Sequence, residues 1–346
     1  MAFRFYGAFV FLASIPLLYY GAGPAAPLIT VVLIPLVLIG TEFFVPRALD
    51  VRHSSRDTHF RLAPMLYIPA QIAVTAWALF IAAPTGTSAI AFASLAFAVG
   101  VTMGVFGMLA AHEMIHGHNA AERALGLTML TAMSYRHFRV VHIHGHHRYA
   151  ATERDATTAL LGESYYAFLA RTMVRQFLDA WQFETLRCRR RSFGIVANRV
   201  FWDVIVLALL YLGLYRLLGL RAAMFFALSS AVGIAALELF NYVAHYGLIR
   251  AVSPSGSREP FTSRHSWNAS NPVGNALLFN MGRHSDHHRR ASGPYQILEP
   301  MPEGPELPAG YAGSMSLALI PPLWRRIMDP RALRLRTVQG GQVSCA

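Results

Sequence analysis

Six stretches of this chain are long and apolar enough to cross the hydrocarbon of a bilayer, and that feature removes most folds from consideration. They run over about 5–22, 25–44, 62–83, 88–111, 200–220 and 222–243, and a helical crossing takes roughly 20 residues. Inside hydrocarbon every backbone N–H and C=O needs a partner, which leaves helices or a closed barrel. Segments this long and this apolar read as helices. The expected fold class is therefore all-α: a polytopic membrane protein of about six spans. Composition agrees, with 54% of residues hydrophobic and 14% charged, against about 25% charged in a soluble domain. So little charge cannot cover a water-facing surface, and the same arithmetic excludes intrinsic disorder.

The stretches pair into hairpins through Gly21-Ala22-Gly23-Pro24, Pro84-Thr85-Gly86-Thr87 and the turn from Gly219 to Arg221. The first is followed at once by the second, so it reads as a span and not as a removed signal peptide. Orientation follows from arginine, which supplies all 30 basic residues of a chain with net charge +12. Arg47, Arg52, Arg56 and Arg61 lie between spans two and three. Arg123, Arg136, Arg139, Arg148, Arg154, Arg171, Arg175 and the Arg187–Arg191 cluster lie between spans four and five. The opposite face holds Arg221, with Arg216 close by. Positive loops mark the cytoplasmic side. Both termini and the polar regions 112–199 and 244–346 are thus expected there as one cap, within a single domain 1–346 of a bacterial-type inner membrane. Positive charge placed this way belongs to topology, and no nucleic-acid partner is expected. Cys188 and Cys345 make no disulfide framework, and no Cys-x-x-Cys pair signals an iron–sulfur or rubredoxin module in this chain.

Fifteen histidines carry the chemistry. His112 and His116 stand four apart at the end of span four and share a helix face. His142 and His146 repeat that spacing, with His147 turned about 100° away toward a second ion. His284, His287 and His288 form a third box, and His245 follows span six. Nine imidazoles exceed the roughly six that one transition metal accepts, so two ions are the economical count. Imidazole suits iron, zinc, copper and nickel, and an all-histidine shell is poor for magnesium or calcium. A structural zinc needs only four ligands, usually with cysteine among them. Each box alone reads more simply as packing or a solvated surface; three boxes in order at one membrane face point to a metal centre. His118 and His144 read as outer partners or solvated groups. His53, His59, His137 and His265 stay unassigned. Glu113, Asp155 and Asp286 are candidate acceptors for the second ring N–H of ligating histidines. Glu238, inside span six, is expensive there and suggests function.

The spacings His-x3-His, His-x3-His-His and His-x2-His-His resemble those of the membrane-bound non-haem di-iron desaturases and hydroxylases, and more finely the alkane 1-monooxygenase family. The carrying segments are His112-Glu113-Met114-Ile115-His116, Gly145-His146-His147, the run from Asn241 to Leu248, and Arg283-His284-Ser285-Asp286-His287-His288. His265-Ser266-Trp267-Asn268, Pro294-Tyr295-Gln296 and the run from Pro321 to Arg326 are similar as well. The resemblance covers about residues 40 to 330. It implies two non-haem irons on His112, His116, His142, His146, His147, His245, His284, His287 and His288, and O2 as co-substrate. It also implies electrons from a rubredoxin or ferredoxin fed by an NAD(P)H-dependent reductase. Three positions depart from the family pattern: Gly117 replaces a lysine, and Val141 and Ala244 each replace a glutamate.

The expectation is a monooxygenase that places one oxygen atom in a terminal C–H of an apolar substrate, a medium- or long-chain n-alkane. Aromatic-methyl or fatty-acid hydroxylation and desaturation fit the same irons. A histidine-metal receptor or transporter is the non-enzyme alternative, although a transporter needs polar groups at the midplane. Met103, Gly104, Met108 and Leu109 are candidate substrate walls. Gly100 and Gly104 read more simply as close helix packing. The Arg187–Arg191 cluster suits an acidic carrier or anionic lipid.

Overall fold

The computed structural model describes residues 2–47, 58–192, 194–252, 256–291 and 293–343; Arg52, His53, Arg56 and Cys345 lie outside them. Among the described residues there is no strand, only two isolated bridges. The helices are α1 (Ala8–Ala22), α2 (Leu28–Phe44), α3 (Thr58–Ala82), α4 (Ala89–Thr102), α5 (Met108–Ile115), α6 (Ala120–Ala132), α7 (Phe138–Val141), α8 (His147–Tyr149) and α9 (Tyr165–Arg190). They continue as α10 (Arg199–Leu218), α11 (Leu220–His245), α12 (Pro272–Leu277), α13 (His284–Arg289), α14 (Gly310–Ala318) and α15 (Pro321–Val343).

Each apolar stretch is helical, and five helical runs are long enough to span: Ala2–Ala22, Thr58–Ala82, Ala89–Ile115, Arg199–Leu218 and Leu220–His245. The second stretch differs from the expectation of 25–44. Its helix has only 17 residues, Leu28–Phe44, because Pro27 occupies its N-cap and residues 24–27 are spent in a turn. The fourth and sixth run further than hydropathy indicated, to Ile115 and His245. Their last turns are polar in sequence but buried in protein.

α11 and α4 form the centre of the bundle, with α10 packed on the outer side of α11 and α14 against α2 and α11. Small residues set the α4–α11 distance. A Cβ on Gly100 would lie 2.7 Å from the Ser229 carbonyl oxygen, and one on Gly104 would overlap the Gly233 carbonyl. α10 keeps most of its surface outward, with Leu209 63% and Leu217 84% exposed. Exposed apolar faces mark contact with a membrane or another protein, and the length and apolarity of α10 suit a membrane span.

Two π turns interrupt the helices, Met103–Gly107 before α5 and His142–His146 between α7 and α8. Such turns shift the side-chain phase and recur at functional sites. Here both stand directly at histidine boxes.

Candidate metal centre

α5, the π turn with α8, α11 and α13 bring all nine imidazoles together in two groups. The first holds His112, His116, His142, His147 and His287; the second holds His146, His245, His284 and His288. Within each group one ligand atom per residue lies within 4.8 Å of every other. The groups adjoin: His147 and His288 rings are 5.0 Å apart between centroids.

The ring nitrogens face inward. His142 Nε2 lies 2.8 Å from His112 Nε2, 3.1 Å from His116 Nε2 and 2.9 Å from His147 Nε2. His147 and His116 Nε2 atoms are 3.2 Å apart. Hydrogen bonding cannot satisfy that closed triangle, because each Nε2 is either a donor or an acceptor, and of three mutually touching nitrogens two must then be alike. A cation among the lone pairs satisfies all of them. Two nitrogens about 2.1 Å from one ion, at right angles, stand about 3.0 Å apart. In the second group His284 Nε2 lies 3.2 Å from both His245 Nε2 and His288 Nε2. His287 Nε2 and the Nδ1 atoms of His112, His147, His284 and His288 are buried with no hydrogen-bond partner.

Burial first, then mutual proximity, holds the imidazoles of His142, His147, His284, His287 and His288 well below their usual range. They are neutral near pH 7, the form that ligates a metal.

The partition differs from the expected pairing of His142 with His146. These two fall in different groups, and His142 shares its group with His147. The π turn is the reason: the His147 N–H bonds to the His142 carbonyl, five residues back. That spacing puts residues i and i+5 side by side. α13 divides similarly by ordinary helical spacing, with His284 and His288 on one face and His287 on another.

Of the four expected carboxylates, Asp155 alone meets a ring nitrogen. His146 Nδ1 donates to its Oδ2 at 2.9 Å, and the Thr157 and Thr158 hydroxyls donate to the same carboxylate. Burial acts to raise the Asp155 pKa, but the His146 imidazole and the hydrogen bonds from His146 and Thr158 bring it down to about 2. Glu113 accepts the Tyr295 N–H at 3.3 Å, and Asp286 accepts Arg289 Nε at 2.8 Å and the Glu299 N–H at 2.7 Å. Both brace the segment after α13 instead of a ligand. Glu238 accepts from Tyr135 Oη, Gln176 Nε2 and Asn241 Nδ2, a closed network between helices.

Sequence reasoning missed the support of His245. Its Nδ1 donates to the His265 carbonyl at 2.9 Å, and His265 Nε2 donates to Glu259 at 2.9 Å. A backbone carbonyl leaves no residue signature, although His265 lies in a segment already singled out. The three departures have local reasons. A side chain on Gly117 would meet Glu122, which pairs with Arg61. Val141 packs with Ala180 and Val200, away from the metal groups. Ala244 is fully buried, its carbonyl accepting the Trp267 N–H.

Two cavities adjoin the centre. An apolar one of about 250 Å³ lies among α2, α4, α11 and α14 and includes Gly104, Val105, Leu109 and Phe240. Leu109 precedes His112 by three residues, and the Phe240 ring lies 5.7 Å from His284. Met103 and Met108 are not among its lining residues. The other, a basic groove of about 680 Å³, is lined by Arg148, Arg154, Arg187, Arg190 and Arg191 against the one carboxylate of Glu184, with Ile143 and His144 also in its lining. Those last two belong to the same segment as His142, His146 and His147. His144 therefore faces the groove, and the His118 carbonyl accepts from Arg123.

A family model described as fatty acid desaturase matches residues 86–313. Alkane 1-monooxygenase 1 of Pseudomonas aeruginosa is 42% identical over 236 residues, 67% of this chain and 62% of that protein. Alkane 1-monooxygenase 2 of the same organism is 35% identical over 305 residues, 86% of this chain and 81% of that protein. The xylene/toluene monooxygenase hydroxylase component of Pseudomonas putida is 29% identical over 238 residues, 67% of this chain and 62% of that protein.

Proposed function

The chain belongs to the fatty acid desaturase family and, within it, to the alkane 1-monooxygenases, and from that premise we propose that it hydroxylates a terminal C–H of a medium- or long-chain n-alkane to the 1-alkanol. One observation carries the reading: two adjoining groups of five and four inward-facing imidazoles, beside an apolar cavity whose lining residue Phe240 packs 5.7 Å from the His284 ring. His112, His116, His142, His147 and His287 would hold one iron, and His146, His245, His284 and His288 the other. The Nε2 triangle and the neutral imidazoles fit that cation. When bound, the irons supply the redox capacity by which O2 gives one atom to the C–H bond and one to water, with two electrons and two protons entering from outside.

The protein's own part is binding, orientation and exclusion of water. Asp155 and Thr157 keep the proton of His146 on Nδ1 and free its Nε2. The His265 carbonyl does the same for His245. Leu109, Val105 and Phe240 hold an alkyl chain out of water with its end toward His284. Electrons come from a separate rubredoxin or ferredoxin reduced through NAD(P)H, docked on the arginine groove over residues 143–149. The chain acts as one domain, 1–346, in a bacterial inner membrane, with the metal cap in the cytoplasm.

A second reading, oxidation of aromatic methyl groups, is favoured by the likeness to the xylene/toluene component. Feeding cells that express the chain a mixture of octane, hexadecane, toluene and a fatty acid separates the readings. 1-Alkanols with two irons per purified chain support the first; benzyl alcohol alone supports the second. A single zinc, or no oxygenated product, overturns both.

A further inference from the structure

Between α6, α7 and the start of α10 lies a cavity of about 290 Å³, next to the arginine groove and sharing Ile143 and His144 with it. Leu127 and Val140 give it an apolar wall, and Arg123, Arg139 and Arg199 converge on it. The Arg139 Nε is buried with no hydrogen-bond partner. Among the described residues Arg123 donates to the neutral carbonyls of Gly117 and His118. Asp203 is shared by Arg136 and Arg139, and Glu184 by Arg187 and Arg199. Three guanidinium groups line the cavity, and the two carboxylates that pair with Arg139 and Arg199 are each shared with an arginine outside it, so positive charge is in excess there.

Its position decides what the charge is for. Arg199 opens α10, whose outward face carries Leu209, Leu212 and Leu217 uncovered by protein. Trp202, half-exposed one turn in, donates its Nε1 to the Val196 carbonyl, the placement of an interfacial aromatic. The cavity is thus at the headgroup level of the arginine-rich face, with a lipid-facing helix leading away from it. Basic pockets between membrane helices on that side bind anionic headgroups.

We propose that this cavity binds the phosphodiester headgroup of an anionic phospholipid, with the acyl chains lying along the exposed face of α10. An acidic protein is the wrong shape for it. The larger arginine groove, which shares Ile143 and His144 with this cavity, has room for a docking loop, whereas this cavity is less than half its volume and is lined by Arg199, the first residue of α10. The bound headgroup gives Arg139, which Asp203 already holds through its Nη2, a second partner three residues before His142, and so fixes the segment that enters the π turn. The proposal stands independently of the oxidation chemistry.

The purified full-length chain is exchanged into nanodiscs of phosphatidylcholine with and without phosphatidylglycerol, then stripped with detergent, and retained lipid is counted by native mass spectrometry. The wild type is expected to keep about one phosphatidylglycerol per chain, and Arg123→Gln with Arg199→Gln to keep at least about tenfold less. Both arginines are exposed, so folding should survive; Ala124→Trp, which fills the cavity without removing charge, should lose the lipid equally. Inorganic phosphate should not displace it. Equal retention by the variants, equal retention of phosphatidylcholine, or full displacement by phosphate would each overturn the proposal. So would a double variant that keeps its lipid but loses binding to an acidic carrier protein.

Discussion

The two imidazole groups are built differently. In the group of four, two rings are fixed from behind: His146 by Asp155 and Thr157, and His245 by the His265 carbonyl. In the group of five, the Nδ1 atoms of His112 and His147 are buried without partners, as are those of His284 and His288 in the other, but among the described residues no carboxylate reaches any ring nitrogen of the five. One group relies on orientation and the other on number. Five neutral donors converging in a desolvated pocket can hold an ion without outer bonds, whereas four gain more from being aimed.

The sharpest test removes one donor from each. His287→Ala and His146→Ala should each abolish turnover while membrane insertion stays intact. Iron analysis then separates the groups. The five-member group keeps four donors after His287→Ala and should retain part of its iron; the four-member group falls to three after His146→Ala and should lose its ion. Equal iron loss in both variants would erase the distinction, and retained turnover would remove that residue from the ligand set.

Next in size is the loss of aim alone. Asp155→Ala should lower turnover by about 10–100-fold with weaker iron retention. Asp155→Asn should recover most of it, since its carbonyl can still accept the His146 Nδ1–H. An unrecovered Asn variant would mean that the negative charge, not the direction of the bond, matters.

The groups also share the apolar cavity, through Leu109 before His112 and Phe240 against His284. Val105→Phe narrows it away from both. The expected result is a preference for shorter alkanes, with the hexadecane-to-octane product ratio falling about tenfold. An unchanged ratio would place the substrate path elsewhere.

How much of this was legible follows from what sequence encodes. The spans were readable because hydrocarbon imposes a length and an apolarity on each helix. Their ends were not: Asn241 to His245 lower the local hydropathy, yet α11 continues because protein surrounds that turn. All nine clustered histidines stood out by spacing. Their division did not, because 3.6 residues per turn pairs His142 with His146, and nothing in the residues announces the π turn that pairs His142 with His147. Proximity in sequence also misled for Glu113 and Asp286. A carboxylate one or two residues from a ligand on a helix points to another face, and both serve the segment around Tyr295 and Glu299.

The smallest effect tests the most indirect support. Glu259 accepts from His265 Nε2, while His265 Nδ1 accepts the Thr262 N–H, so the two bonds fix the neutral tautomer and the ring. What reaches His245, however, is the His265 backbone carbonyl, whose position depends on the loop more than on the charge of Glu259. Glu259→Gln keeps an acceptor in place and should cost about fivefold or less in turnover, near 1 kcal/mol. Asp155→Ala, acting on a ring directly, should cost more. If Glu259→Gln proves as damaging as Asp155→Ala, both braced rings depend on a negative charge at one remove or less. The group of four would then differ from the group of five in electrostatics and not in aim.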